Sequence, residues 1–78
     1  MSPTVLRIGP YRFFFYSREE ARPHIHVERD RKTAKFWLDP VSLAENFGFS
    51  SHELNELQTL VRENEKFFLK EWRDFFHG

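Results

Sequence analysis

Two histidines and a glutamate at alternate positions carry the clearest chemical signal in the chain: His24, His26 and Glu28. In a β-strand alternate side chains share one face, so these three point one way while Ile25 and Val27 point into a core. Two imidazoles and a carboxylate on one face can hold a metal ion, transfer protons or recognise a phosphate. The pattern indicates that this strand is the candidate functional element, and it leaves the chemistry open.

The first hypothesis is a metal site with His24, His26 and Glu28 as ligands, which would suit zinc, nickel or iron. Metal sites usually take ligands from more than one element and need groups that orient them. No other histidine is clearly placed to help, since His52 lies in the first turn of a predicted helix and His77 at its end. We therefore expect no cofactor, with a divalent metal as the alternative.

The second hypothesis makes His24 and His26 the general base and general acid of a toxin-like enzyme that cleaves RNA. Arg12, Arg7 or Lys35 would then stabilise developing charge on the phosphate. The same residue types occur on many sheets without activity. We therefore favour a protein that is not an enzyme and keep RNA cleavage as the alternative.

The composition is that of one small soluble domain spanning residues 1–78. There is no cysteine, so neither a disulfide nor a thiolate zinc site can stabilise it. Ten Phe, two Trp and two Tyr can supply a core. Residues 1–40 hold eight Lys/Arg and five Asp/Glu, a net of +3, whereas residues 41–78 hold four and seven, a net of −3. No apolar run approaches the roughly 20 residues of a membrane span, and no signal peptide is evident, so we expect a cytoplasmic protein with no membrane partner.

Alternating apolar patterns predict four β-strands, over residues 4–8, 11–16, 24–28 and 33–38. Gly9-Pro10 separates the first two runs and suits a tight hairpin turn. The polar segment before the third strand, through Arg22, is expected to be solvated. Short connections between all four strands indicate an antiparallel meander.

Two helices are predicted after the strands. Asp39-Pro40 is typical of a helix start, and Gly48 of a helix end, so a short helix is expected between them. Ser50 and Glu53 have the spacing of a capping box. The apolar stripe that follows predicts one long amphipathic helix over residues 51–76, packed on one face of the sheet. The predicted fold is α+β.

The sheet face away from that helix mixes cations, imidazoles and large aromatic rings. If the all-apolar sets face the core, this face holds Arg12, Phe14, Tyr16, His24, His26, Glu28, Lys35 and Trp37. Aromatic and basic residues on a sheet can stack bases and hold phosphates. The same residue types are common in protein interfaces. A protein partner or a homodimer is the favoured expectation, and RNA or DNA binding is the alternative.

Four segments resemble a family of small bacterial proteins known as domain of unknown function 4160: residues 3–9, 11–17, 23–27 and 34–40. The likeness extends over nearly the whole chain, and it departs at Gly9-Pro10 and Arg22-Pro23. The resemblance implies a domain of four strands followed by a helix, with His24 and His26 as its characteristic pair. It also implies a companion of other small genes, in the manner of toxin–antitoxin pairs, but no particular activity.

Overall fold

The described residues of the chain form a five-stranded antiparallel sheet with two helices on one of its faces. The computed structural model describes residues 4–16 and 21–77. Its elements are β1 (Thr4–Ile8), β2 (Tyr11–Phe14), β3 (His24–Arg29), β4 (Lys32–Leu38), β5 (Val41–Phe47), α1 (Ser51–Glu63) and α2 (Glu65–His77). The strands lie side by side in chain order. The α+β class and the antiparallel meander are therefore confirmed.

Tight turns explain why consecutive strands pair. Gly9 has a φ of +55° between β1 and β2, a conformation that glycine adopts without the penalty of a Cβ atom. Asp30 has a φ of +56° between β3 and β4, and aspartate tolerates this region better than most residues. Both turns reverse the chain within two residues, so each strand returns beside its predecessor.

The predicted short helix after Asp39 is wrong, because residues 41–47 form β5. Asp39-Pro40 makes a two-residue turn, and Val41 then pairs with Leu38 across it. Val41 is buried against the core, whereas Leu43 and Phe47 remain exposed. The spacing of apolar residues suggested a helix, but β4 offers an unpaired backbone edge next to a turn. Hydrogen bonding to that edge outweighs a weak local preference for helix.

The capping box is confirmed at the start of α1. The Ser50 hydroxyl accepts a hydrogen bond from the Glu53 amide at 3.2 Å, and the Ser50 amide donates to the Glu53 carboxylate at 3.0 Å. Lys32, the first residue of β4, adds an ion pair at 2.7 Å to the same carboxylate. The hydrogen bond from Lys32, helped by the Ser50 amide, lowers the pKa of Glu53 to about 2. One glutamate thus joins the helix start to the sheet.

The predicted single helix over 51–76 is two helices that meet at Asn64. The side-chain amide of Asn64 donates to the Leu60 carbonyl at 2.8 Å, and its backbone leaves helical geometry with φ −112° and ψ 15°. A side chain that bonds the preceding turn competes with the regular helical pattern. The break falls between Val61 and Phe68, both fully buried, where the apolar stripe makes its longest step.

The helices cover the apolar face of the sheet and build the core there. Phe13 of β2 contacts Phe68 of α2, with ring centroids 5.3 Å apart. Leu57 and Val61 of α1 are buried in the same cluster. In the described part of the chain, no helix is long and apolar enough to cross a membrane. The helices leave most of the other face of the sheet to polar and aromatic side chains, although Trp72 of α2 also contacts His24 there.

Candidate functional site

The strand register places the predicted site residues in three rows on the face of the sheet opposite the helices, here called the open face. Residues that pair directly in antiparallel strands share a face. The rows are Arg12, Glu28 and Thr33; Phe14, His26 and Lys35; and His24, Trp37 and Ser42. Tyr16 follows the end of β2 and contacts this face through Phe14. The sheet therefore assembles every residue that alternation assigned to this face.

The first row contains an ion pair between Arg12 and Glu28. Arg12 Nη1 lies 2.5 Å from Glu28 Oε1, and Arg12 Nε donates a hydrogen bond to the Thr4 hydroxyl at 2.7 Å. The same guanidinium lies 4.4 Å from the centre of the Phe14 ring. Glu28 therefore neutralises Arg12 across the β2–β3 pair.

His26 lies in a cleft between two aromatic rings. The Phe14 ring stacks on it at a centroid distance of 5.5 Å, and the Tyr16 ring meets it edge-on at 4.4 Å. Phe14 is almost fully buried, although it lies on the face away from the helices. The open face is thus packed at its centre rather than freely solvated.

His24 is buried, with only 1% of its surface exposed. Its Nδ1 atom lies 2.8 Å from the Arg22 carbonyl oxygen. A carbonyl can only accept, so Nδ1 carries the hydrogen and donates it. The ring also contacts Trp37 and, from α2, Trp72, at centroid distances of 5.6 and 5.0 Å. Strand alternation cannot reveal this burial, because Trp72 reaches His24 from a distant helix.

The structure brings the two histidines together but does not assemble the proposed metal ligands. The ring centroids of His24 and His26 are 5.1 Å apart, while Glu28 is bonded to Arg12. Among residues 4–16 and 21–76, no three His, Cys, Asp or Glu side chains form a metal-binding group. The side chain of His77 lies outside the described residues. The burial of His24 also disfavours proton exchange with a substrate at the surface.

Two cationic side chains lie over the indole ring of Trp37. The guanidinium carbon of Arg22 lies 4.2 Å and the Lys35 ammonium 4.6 Å from the ring centre. Lys35 is buried, whereas Arg22 is exposed and Trp37 half-buried. Cations over an indole face are attracted by its quadrupole. Positive charge is thus concentrated around one ring of the open face.

Arg22 is not among the residues that the sequence pattern predicts for this face, because the pattern places it in a solvated segment. Part of that segment, residues 17–20, lies outside the described residues. Pro23 is the sequence feature that indicates an ordered Arg22, because a residue before proline is restricted to extended conformations. The Pro23 carbonyl accepts a hydrogen bond from the Leu38 amide at 3.1 Å. The hydrogen bond from Leu38 therefore fixes the backbone beside Arg22 to β4.

These features define a small α+β domain with a packed, cationic and aromatic sheet face. A family model described as domain of unknown function (DUF4160) matches residues 11–73. The chain belongs to this family, and the matched span contains all three rows of the open face. No curated protein matches the chain, and no solved structure does.

Proposed function

We propose that the protein is a binding module and that its open face contacts a partner protein. The observation that carries this proposal is the half-buried indole of Trp37, flanked by the exposed Arg22 and the buried Lys35. Tyr16 adds an exposed ring to the same face. Trp, Tyr and Arg are the residues most enriched among those that dominate the energetics of protein interfaces.

The occupied ring faces favour a protein over a single-stranded nucleic acid. Arg22 and Lys35 lie over Trp37, and Arg12 lies over Phe14, on which His26 also stacks. Nucleic-acid platforms need accessible ring faces on which bases stack. A base would first have to displace these contacts. A protein partner can contact the exposed Arg22 guanidinium and the exposed ring of Tyr16 without displacing these contacts.

The enzyme alternative receives less support from the geometry. RNA cleavage by a histidine pair needs both imidazoles within reach of the substrate, and His24 is buried with its Nδ1 atom bonded to a backbone carbonyl. Membership of a toxin–antitoxin-like two-gene system stays a prediction. A second copy of the chain is the other occupant that the experiment below distinguishes.

The test is capture of a partner from the native cells with tagged protein, before and after nuclease treatment. We compare the wild type with Trp37→Ala and with a control, Phe67→Ala, which removes an aromatic ring from the helix layer, where Phe67 is exposed. The proposal expects a stoichiometric protein that resists nuclease and is lost only with Trp37→Ala. Circular dichroism checks that each variant is folded.

Three results would count against the proposal. Loss of the captured protein after nuclease treatment would indicate nucleic acid instead. Equal capture by Trp37→Ala and the wild type would place the interface elsewhere. A captured species that is only the chain itself, with a dimer mass in solution, would replace the partner by a second copy.

A further inference from the structure

We infer that Arg22 is the recognition residue of the open face and that it binds a carboxylate of the partner protein. This inference rests on the proposed function, because it names the chemical group that the same face recognises. Three observations support it: Arg22 has no ion pair within residues 4–16 and 21–76, its position is held by neighbouring contacts, and Glu28 neutralises Arg12 on the same face.

The charge of Arg22 is not neutralised within the described residues. Arg12 is paired with Glu28, and Lys32 with Glu53. Arg22 has no ion pair with any carboxylate in residues 4–16 or 21–76, and it is exposed. An exposed guanidinium beside an aromatic ring is typical of a residue that meets a partner.

Arg22 is also held in place before any ligand arrives. His24 donates a hydrogen bond to its carbonyl oxygen at 2.8 Å, and the following carbonyl, of Pro23, is bonded to Leu38. The guanidinium rests on Trp37. A guanidinium over a ring contacts it through its flat face, so the in-plane N–H donors can still serve a carboxylate. Because the side chain is already ordered, binding loses less conformational entropy.

The distribution of charge favours a carboxylate on a protein over the phosphates of a nucleic acid. Nucleic-acid binding draws most of its affinity from many phosphate contacts. On the open face, Glu28 neutralises Arg12, and Glu45 lies opposite Lys35 in the register. A single preorganised guanidinium suits one bidentate contact with an Asp or Glu side chain. His24 is then a positioning residue, which fixes the backbone of Arg22.

The experiment uses the full chain and two defined ligands, a short poly-glutamate peptide and a single-stranded oligouridylate of equal length. Binding is followed by NMR at the Arg22 side-chain N–H and the Trp37 indole N–H. We expect the peptide to shift both signals. We expect Arg22→Gln to weaken binding about tenfold or more, the scale of a charge-assisted hydrogen bond. Arg73→Gln removes an exposed cation from α2 and should have no effect.

Several outcomes overturn the inference. One is a peptide that leaves the Arg22 signal unmoved, and another is equal weakening of binding by Arg22→Gln and Arg73→Gln. Tighter binding of the oligouridylate at Arg22 would identify phosphate as the ligand. In the capture experiment, retention of the partner by Arg22→Gln but not by Trp37→Ala would reject this role of Arg22 and leave the proposed function standing.

Discussion

The guanidinium carbon of Arg22 lies 4.2 Å from the centre of the Trp37 ring, which joins the segment before β3 to β4 on the open face. Such a contact contributes about 0.5–1 kcal/mol at an exposed site. Its larger consequence is positional. It sets an exposed cation beside Trp37 and Lys35, where a partner would meet charge and aromatic surface together.

The two histidines should differ in their contribution to stability. His24 is buried and bonded to the Arg22 carbonyl, whereas His26 is partly exposed. We expect His24→Ala to lower the free energy of unfolding by about 2–4 kcal/mol, because it leaves a cavity and an unsatisfied carbonyl. We expect His26→Ala to cost about 1 kcal/mol. Urea denaturation measures both, and equal losses would contradict the assigned burial of His24.

Adjacent phenylalanines on α2 test which side of the helix faces the core. Phe68 is fully buried against Phe13, and Phe67 is exposed. Phe68→Ala should lower the free energy of unfolding by about 3–5 kcal/mol. Phe67→Ala should change it by less than about 1 kcal/mol. Thermal and urea unfolding measure both variants. A larger loss of stability in Phe67→Ala than in Phe68→Ala would show that the other side of α2 faces the core.

The ion pair between Lys32 and Glu53 should make stability depend on acid pH. The pKa of Glu53 falls from an ordinary value of 4.5 to about 2 in the folded protein, chiefly through Lys32. A lowered pKa stabilises the fold above the unfolded value, and this contribution is lost as pH falls from 4.5 towards 2. Unfolding should therefore become easier across that window.

Glu53→Gln should be less stable at neutral pH and should lose this part of the pH dependence. The control is Glu63→Gln, which changes an exposed carboxylate in the last turn of α1 and should leave the pH profile as in the wild type. Urea denaturation at several pH values measures the effect. A steep loss of stability that persists in Glu53→Gln would assign it to other carboxylates.

Much of the fold could be predicted from local patterns, because β-strand alternation and helix caps involve residues that are close together in the sequence. Alternation located four strands and the face on which Phe14, His26 and Lys35 lie. Ser50 and Glu53 located the start of α1. These features depend on neighbours within a few positions, so they can be predicted without considering the rest of the chain.

The features that local patterns do not predict depend on pairing and packing with other elements. The apolar spacing of residues 41–47 predicts a helix, because only pairing with β4, beginning at Leu38 and Val41, selects the strand. The burial of His24 depends on Trp72. The contact of Arg22 with Trp37 depends on the register that sets Trp37 opposite His24. Local propensity gives way to tertiary contacts in each case.

The most direct test of the proposed binding face is site-specific photo-crosslinking in the native cells. A benzoylphenylalanine in place of Tyr16, whose ring is exposed on the open face, samples what contacts that face. The same group in place of Phe67 samples the helix layer. The account predicts a discrete adduct with another protein from position 16, resistant to nuclease and absent from position 67. No adduct from position 16, or the same adducts from both positions, would contradict it.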